Sequence, residues 1–284
     1  LRRADSLRAV TLPYFPVEDD PGPSFLNLLR AQGLEPRFAS GSDATANPLT
    51  FSHGTTVVAV RYADGVVMAG DRRATSGNLI SHRHMDKVFP ADRHSGVAIA
   101  GAAGPAIEMV KLFQLQLEHY EKVEGTTISL EGKANQLSQM VRGHLPAAMQ
   151  GFAVVPLFAG YDTARQEGRL FEYDVTGGRY EESEYATTGS GSLHAGAVVK
   201  MGYRPDLTRE QVIDLVISAL FEAADEDSAT GGPDLVRAIY PSVATITAGG
   251  FEVVEEAEVA QRFRGLVDQL TSSRGPRTDP EVNP

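Results

Sequence analysis

The sequence predicts an α+β fold built in stacked layers. Apolar residues recur at period two in short runs and at helical spacing in longer ones. The runs come grouped as strands, two helices, strands, two helices and strands again. That grouping points to segregated layers rather than to a βαβ repeat with a parallel sheet. A third observation sets the limit of the folded part. Residues 1–54 hold six of the 16 prolines (Pro13, Pro16, Pro21, Pro23, Pro36, Pro48) around short apolar patches such as 25–29, and read as largely disordered or only locally helical.

In chain order, residues 56–61 and 65–69 are β-rich runs joined by Tyr62-Ala63-Asp64-Gly65, where Asp-Gly is a strong hairpin signal. Residues 87–89 and 95–100 read as further short strands. Ile107, Val110, Leu117 and Tyr120 then recur at helical spacing through 103–122, closed by Gly125. Leu130, Ala134, Leu137, Val141, Leu145 and Ala148 repeat the signature through 150, and Pro146 is expected to bend or end that helix near its last turn. Strands resume at 152–161, 170–174 and 185–188. A helix follows Ser192, and a longer one runs from an N-cap at Thr208 to about 225. Strands at 243–247 and 251–254 and a helix at 257–270 complete the set. The expected division is an N-terminal segment 1–54, which on composition alone could be a floppy tail, one domain over 55–271 and a flexible tail over 272–284.

Composition narrows the function. With 284 residues and 42% hydrophobic content, the chain can bury a sizeable core. A formal net charge of −11 argues against a nucleic-acid partner, which would be held by phosphate neutralisation. The absence of cysteine excludes disulfides, thiolate metal sites and a cysteine nucleophile, and fits a cytoplasmic location. No run approaches the roughly 20 apolar residues that cross a bilayer. Arg2, Arg3 and Arg8 are followed by Pro13, Pro16, Asp19 and Asp20 before any apolar stretch, so no secretory signal is expected. His82 and His84 could share a strand face, with His94 further on. Without a carboxylate at ligand spacing they read as surface residues, and neither metal nor cofactor is expected.

The chemistry centres on Gly54 and Thr55, where a glycine precedes a threonine that opens an apolar run. Threonine is common in strands, so the residue alone says little. Cut before Thr55, however, the chain would carry a hydroxyl and an α-amine on one residue. That amine has a reference pKa of roughly 7.7–8 and can serve as the base for its own hydroxyl. Gly54, without a side chain, leaves its carbonyl open to attack in the strained turn that self-cleavage needs. Lys87 sits between Met85 and Val88-Phe89, an apolar setting in which a lone ammonium is costly. Asp71 closes a strand and reads either as a turn aspartate or as the carboxylate that keeps Lys87 charged and oriented. Thr188-Gly189-Ser190-Gly191-Ser192 lacks the lysine and spacing of a phosphate loop and is offset from a serine-hydrolase elbow.

These residues lie in blocks that resemble the β subunits of the 20S proteasome, most closely those of actinobacteria. The blocks are TTVVAVRYADGVVMAGDRRAT, HMDKVF, IAGAAG, EHYEKVEG, MVRGHLPAAMQG, PLFAGYD, TTGSGS and AADEDSATGGPDLVRAIYP, running in order from Thr55 to about Ala248. The resemblance implies a four-layer αββα sandwich of the N-terminal-nucleophile hydrolase type, with residues 1–54 as a propeptide removed by self-cleavage between Gly54 and Thr55. It implies a threonine endopeptidase acting on unfolded or tagged proteins. Thr55 is the nucleophile, Lys87 its electrostatic activator, and Asp71 the partner of Lys87. Ser190 and Asp227 lie beside the Thr55 amine, with Thr230 standing where many relatives have serine, and Arg73 is structural. The Gly101 amide serves the oxyanion.

By the same resemblance, Thr75 and Ala103 lie on segments that take an extended peptide as an added strand. Ala74, Met85, Phe89, Ile99, Ala103 and Ile107 wall a specificity pocket. All six are apolar, so large hydrophobic P1 residues are expected. The implied partners are α subunits, other β subunits in four stacked heptameric rings (α7β7β7α7) and a ring ATPase that feeds substrate. Two other readings stand beside this one. A non-catalytic ring subunit usually loses the threonine, the lysine or the glycine at the cut. Another N-terminal-nucleophile enzyme, such as an amidase or the simpler bacterial protease of HslV type, lacks a long propeptide in the latter case.

Overall fold

The run Thr56–Tyr62 shows why layers form. Val57 and Ala59 point to one side and Val58 and Val60 to the other, and all four are fully buried. A strand covered on both faces belongs inside a stack, not on its surface. The computed structural model describes residues 54–274. Its strands are β1 (Thr56–Tyr62), β2 (Gly65–Gly70), β3 (Ala74–Ser76), β4 (Leu79–His82), β5 (Val88–Asp92) and β6 (Ser95–Gly101). They continue with β7 (Val154–Asp162), β8 (Glu167–Tyr173), β9 (Arg179–Glu182), β10 (Tyr185–Gly189), β11 (Ser242–Thr247) and β12 (Gly250–Val253). The helices are α1 (Ala103–Glu124), α2 (Leu130–Ala148), α3 (Ser192–Gly202), α4 (Arg209–Glu226) and α5 (Glu256–Arg274).

Two five-stranded sheets result, ordered β10-β1-β2-β11-β12 and β5-β6-β7-β8-β9, with β3 and β4 as a separate ribbon. Every pairing is antiparallel. Three apolar seams glue the layers. Val57, Ala59, Val66 and Met68 of the first sheet meet Ala98, Leu157, Ala159 and Leu170 of the second. The opposite face of the first sheet, through Val58, Val60 and Val67, packs on α3, α4 and α5. The opposite face of the second, through Val97, Phe158 and Phe171, packs on α1 and α2. The order is therefore helices, sheet, sheet, helices, an α+β sandwich. Each fully buried Val, Leu or Phe contributes about 1.5–3 kcal/mol relative to exposure, so the seams dominate the stability.

Local signals set the ends of the helices. Thr208 accepts from the Gln211 amide while Gln211 reaches back to the Thr208 amide, a closed capping box that starts α4. Gly125, left-handed at φ 68°, ends α1. Pro146 sits in the last turn of α2, which stops at Ala148.

Several expectations need correction. The β1–β2 hairpin turns on Ala63-Asp64, because Tyr62 already pairs with Gly65; the Asp-Gly step straddles the turn and the next strand. Lys87 precedes β5 instead of opening it, and His82 ends β4, so His84 shares no strand face with it. Strands β3, β4 and β9 were not anticipated. Helix α5 runs on to Arg274, beyond the expected end at 270, so the segment 272–284 does not begin as an irregular tail. The propeptide assigned to 1–54 lies outside the described residues apart from Gly54, as does the tail from 275 onward.

Candidate active site

The antiparallel register of β1 and β2 sets Val57 opposite Gly70, so Asp71 emerges beside the start of β1. The Thr56 amide donates to Asp71 Oδ1 at 2.9 Å, and the Asp71 amide donates to the Thr56 carbonyl at 3.1 Å. Lys87, on the segment entering β5, donates through Nζ to Asp71 Oδ1 and to the Arg73 carbonyl, each at 2.6 Å. Asp71 Oδ2 accepts from the amides of Arg73 (2.9 Å) and Gly231 (2.8 Å). The pair is sealed from water, with Asp71 0% and Lys87 2% exposed. Burial pushes the Lys87 ammonium below its ordinary range, against the opposing pull of the Asp71 charge.

Thr55 lies just before β1 and is itself buried. Its hydroxyl donates to the Gly54 carbonyl oxygen at 2.7 Å, and its amide donates to Ser190 Oγ at 3.3 Å. The Gly54 amide donates to Thr75 Oγ1 at 3.2 Å. A Cβ on Gly54 would lie 1.8 Å from the Ala229 Cβ, so the residue before Thr55 must be glycine in this backbone. Ser190, after β10, donates to Asp227 Oδ2, and Thr230 Oγ1 donates to the same oxygen at 2.6 Å. The Ala229 amide reaches Asp227 Oδ1 at 3.1 Å. Burial alone would raise the Asp227 carboxyl, but these three donors outweigh it and hold it below the ordinary carboxylate range. Arg73 Nη1 donates to the carbonyls of Ser228 (3.0 Å) and Thr230 (3.2 Å), tying that loop to the end of β2.

A pocket opens on Thr55 and Lys87. It is lined by Gly54, Thr55, Ala74, Thr75, Met85, Lys87, Ile99, Gly101, Ala103 and Ala106. Gly101 ends β6 at φ 111° and faces it. Phe89 and Ile107, expected in the wall, do not line it. Both pack behind it against the seam that contains Ile99 and Ala106. Ala106 takes the place instead, one helical turn after Ala103. Thr56 was also missed. It shares a strand face with Val58 and is fully buried, and a buried hydroxyl needs partners. Among the described residues no cluster of His, Asp or Glu is arranged to hold a metal ion.

A family model described as "Proteasome subunit" matches residues 51–237, a span that includes every residue of this cluster. The chain belongs to the proteasome subunit family. Among curated members of that family, the proteasome subunit beta of Acidimicrobium ferrooxidans is 52% identical over 97% of this chain and 99% of its own length. That of Streptomyces griseus is 60% identical over 79% of this chain and 80% of its own. That of Jonesia denitrificans is 51% identical over 84% and 80%. Membership of the proteasome family carries a coarse assignment: a peptidase component of the proteolytic core, assembling with other proteasome subunits. Among the described residues no helix is long and apolar enough to cross a membrane.

Proposed function

We propose that the chain is the catalytic β subunit of a 20S-type core, a threonine endopeptidase that first cuts itself between Gly54 and Thr55. The observation that carries this reading is the Thr55 hydroxyl, hydrogen-bonded at 2.7 Å to the carbonyl of the bond to be cut, inside a buried site with Lys87. Thr55 Oγ attacks the Gly54 carbonyl carbon. The C–N bond breaks, nitrogen takes the proton, and an ester forms. Water then hydrolyses the ester, releasing residues 1–54 with a Gly54 carboxylate and leaving Thr55 with a free amine.

In turnover the amine takes the hydroxyl proton as Oγ attacks a substrate carbonyl, then delivers it to the departing amine; water clears the acyl-enzyme ester. Lys87 commits two of its three N–H groups to Asp71 and Arg73, and the third is left for the Thr55 oxygen. Its charge lowers the cost of forming the alkoxide. The Gly101 amide serves the oxyanion. An extended peptide lies along Thr75 and Ala103. Its P1 side chain enters the pocket of Ala74, Met85, Ile99, Ala103 and Ala106, where Lys87 is the only charged residue among the described lining residues and is already paired. Large hydrophobic P1 residues are therefore favoured, and the subunit works in heptameric β rings between α rings fed by a ring ATPase.

The deciding experiment is the intact mass and N-terminal sequence of this chain co-expressed with an α subunit. A product starting Thr55-Thr56-Val57 is expected. A full-length chain in assembled particles overturns the reading, because no amine would be free. A fluorogenic panel checks the pocket: Arg or Asp as the best P1 residue would contradict it.

A further inference from the structure

The side chain of Thr56 has no part in the mechanism above, although it stands next to the nucleophile. Its Oγ1 lies 2.6 Å from Thr230 Oγ1 and accepts the Gly191 amide at 3.0 Å. The direction of the first contact follows from proton counting. A hydroxyl has one proton, and that of Thr230 goes to the Asp227 carboxylate at 2.6 Å. Thr230 is therefore the acceptor toward Thr56, and Thr56 the donor. Hydrogen bonds run one way, from the Gly191 amide through the hydroxyls of Thr56 and Thr230 to Asp227. The same carboxylate oxygen takes the Ser190 proton, which turns the Ser190 oxygen toward the Thr55 nitrogen.

The run leaves no room for alternatives. A Cβ at Gly191 would stand 2.5 Å from Thr56 Oγ1 and 2.8 Å from Thr230 Oγ1, so glycine there is what lets the amide reach the hydroxyl. Thr56 and Thr230 are both 0% exposed, so bulk solvent does not reach either hydroxyl. The Thr56 main chain meanwhile holds Asp71, the partner of Lys87. Thr56 thus joins the two halves of the site, the Asp71–Lys87 pair by its backbone and the Ser190–Asp227 pair by its side chain.

We propose that Thr56 is a positioning residue whose hydroxyl, acting through Thr230 and Asp227, sets the basicity of the freed Thr55 amine. This rests on the reading that the amine is the catalytic base. A chain of aligned hydroxyls draws charge away from the carboxylate. Without it, Asp227 presents a fuller negative charge to the amine and favours its protonated form. The base is then lost at a higher pH.

The test is the pH profile of kcat/KM for mature particles carrying Thr56→Val, which keeps the shape and removes the hydroxyl. The acid limb should move up by about half a pH unit, with activity on that limb down by up to about threefold. Thr56→Ser should return both. In an Asp227→Asn background Thr56→Val should move the limb no further. A Thr56→Val enzyme with lower activity at every pH and an unmoved limb would overturn the proposal, as would failure of Thr56→Ser to rescue it. N-terminal sequencing of the same particles separates the two ideas. An unprocessed wild type sinks the amine-as-base reading itself, whereas a processed wild type with an unmoved variant limb sinks only the role of Thr56. If Thr56→Val blocks processing, the comparison moves to Thr230→Val, where the same limb shift is required.

Discussion

At the scale of single residues, the Asp71–Lys87 pair is where stability and activity meet. Lys87→Ala leaves a carboxylate at zero exposure with its cation gone, and should cost about 3–5 kcal/mol of stability along with activity. Asp71→Asn added to Lys87→Ala removes the orphan charge. The double variant should regain much of the melting temperature and none of the peptidase activity. Equal melting of the single and double variants would show that the buried charge is not what the single variant suffers from. Lys87 could be singled out in the sequence because a lone ammonium in an apolar run is costly, and Thr55 and Asp71 because of the glycine before the one and the family blocks around both. Thr56 could not, because its partners Thr230 and Gly191 lie far along the chain and a threonine in a strand excites no suspicion. Phe89 and Ile107 were misplaced for a related reason. Apolar character tells that a side chain is covered, not which neighbour covers it.

Elements hold the site through contacts that pattern reading sees unevenly. Arg169 on β8, 3% exposed, binds Glu181 of β9 through Nε at 2.6 Å, Glu131 of α2 at 2.8 Å and Asp162 of β7 at 3.1 Å. Its bond holds the Glu181 carboxyl below the ordinary range, and Arg179 and then Arg169 do the same for Glu131. Carboxyls depressed in the folded state contribute stability above their unfolded pKa of about 4.3, and that contribution fades as pH falls through the folded values. Arg169→Ala should therefore lower the melting temperature strongly at pH 7, and the gap to wild type should narrow below pH ~4. A gap that stays constant with pH would assign the loss to packing against Phe171, over which the guanidinium lies at 5.0 Å. Strand β9 escaped notice because three of its four residues, Arg179, Glu181 and Glu182, are charged and the single aromatic Tyr180 makes no alternating pattern. The long helices were legible because many turns repeat one face. Their ends were less so: α5 continues past 270 through Thr271 and Ser272, exposed polar residues that neither favour nor forbid another turn.

Across the whole molecule the two-faced strands decide the architecture. Leu157 faces the seam between the sheets and its neighbour Phe158 faces α1, and both are fully buried. Leu157→Ala should cost about 2–5 kcal/mol and Phe158→Ala about 3–5 kcal/mol, with activity per assembled particle near that of wild type. Thermal melting beside active-site titration checks this; loss of activity at unchanged stability would mean the seams reach the site by some other route. The grouping of strands and helices carried the layers into view from sequence alone. The pairing order of the sheets did not follow from it, because β1–β10 and β2–β11 join strands more than a hundred residues apart. One consequence reaches beyond catalysis. The donors to Asp71 come from Thr56, Arg73, Lys87 and Gly231, on four separate stretches of chain. Under the self-cleavage reading the scissors close only when all four have arrived. The cut then doubles as an inspection stamp: a chain that has not finished folding keeps its blade sheathed.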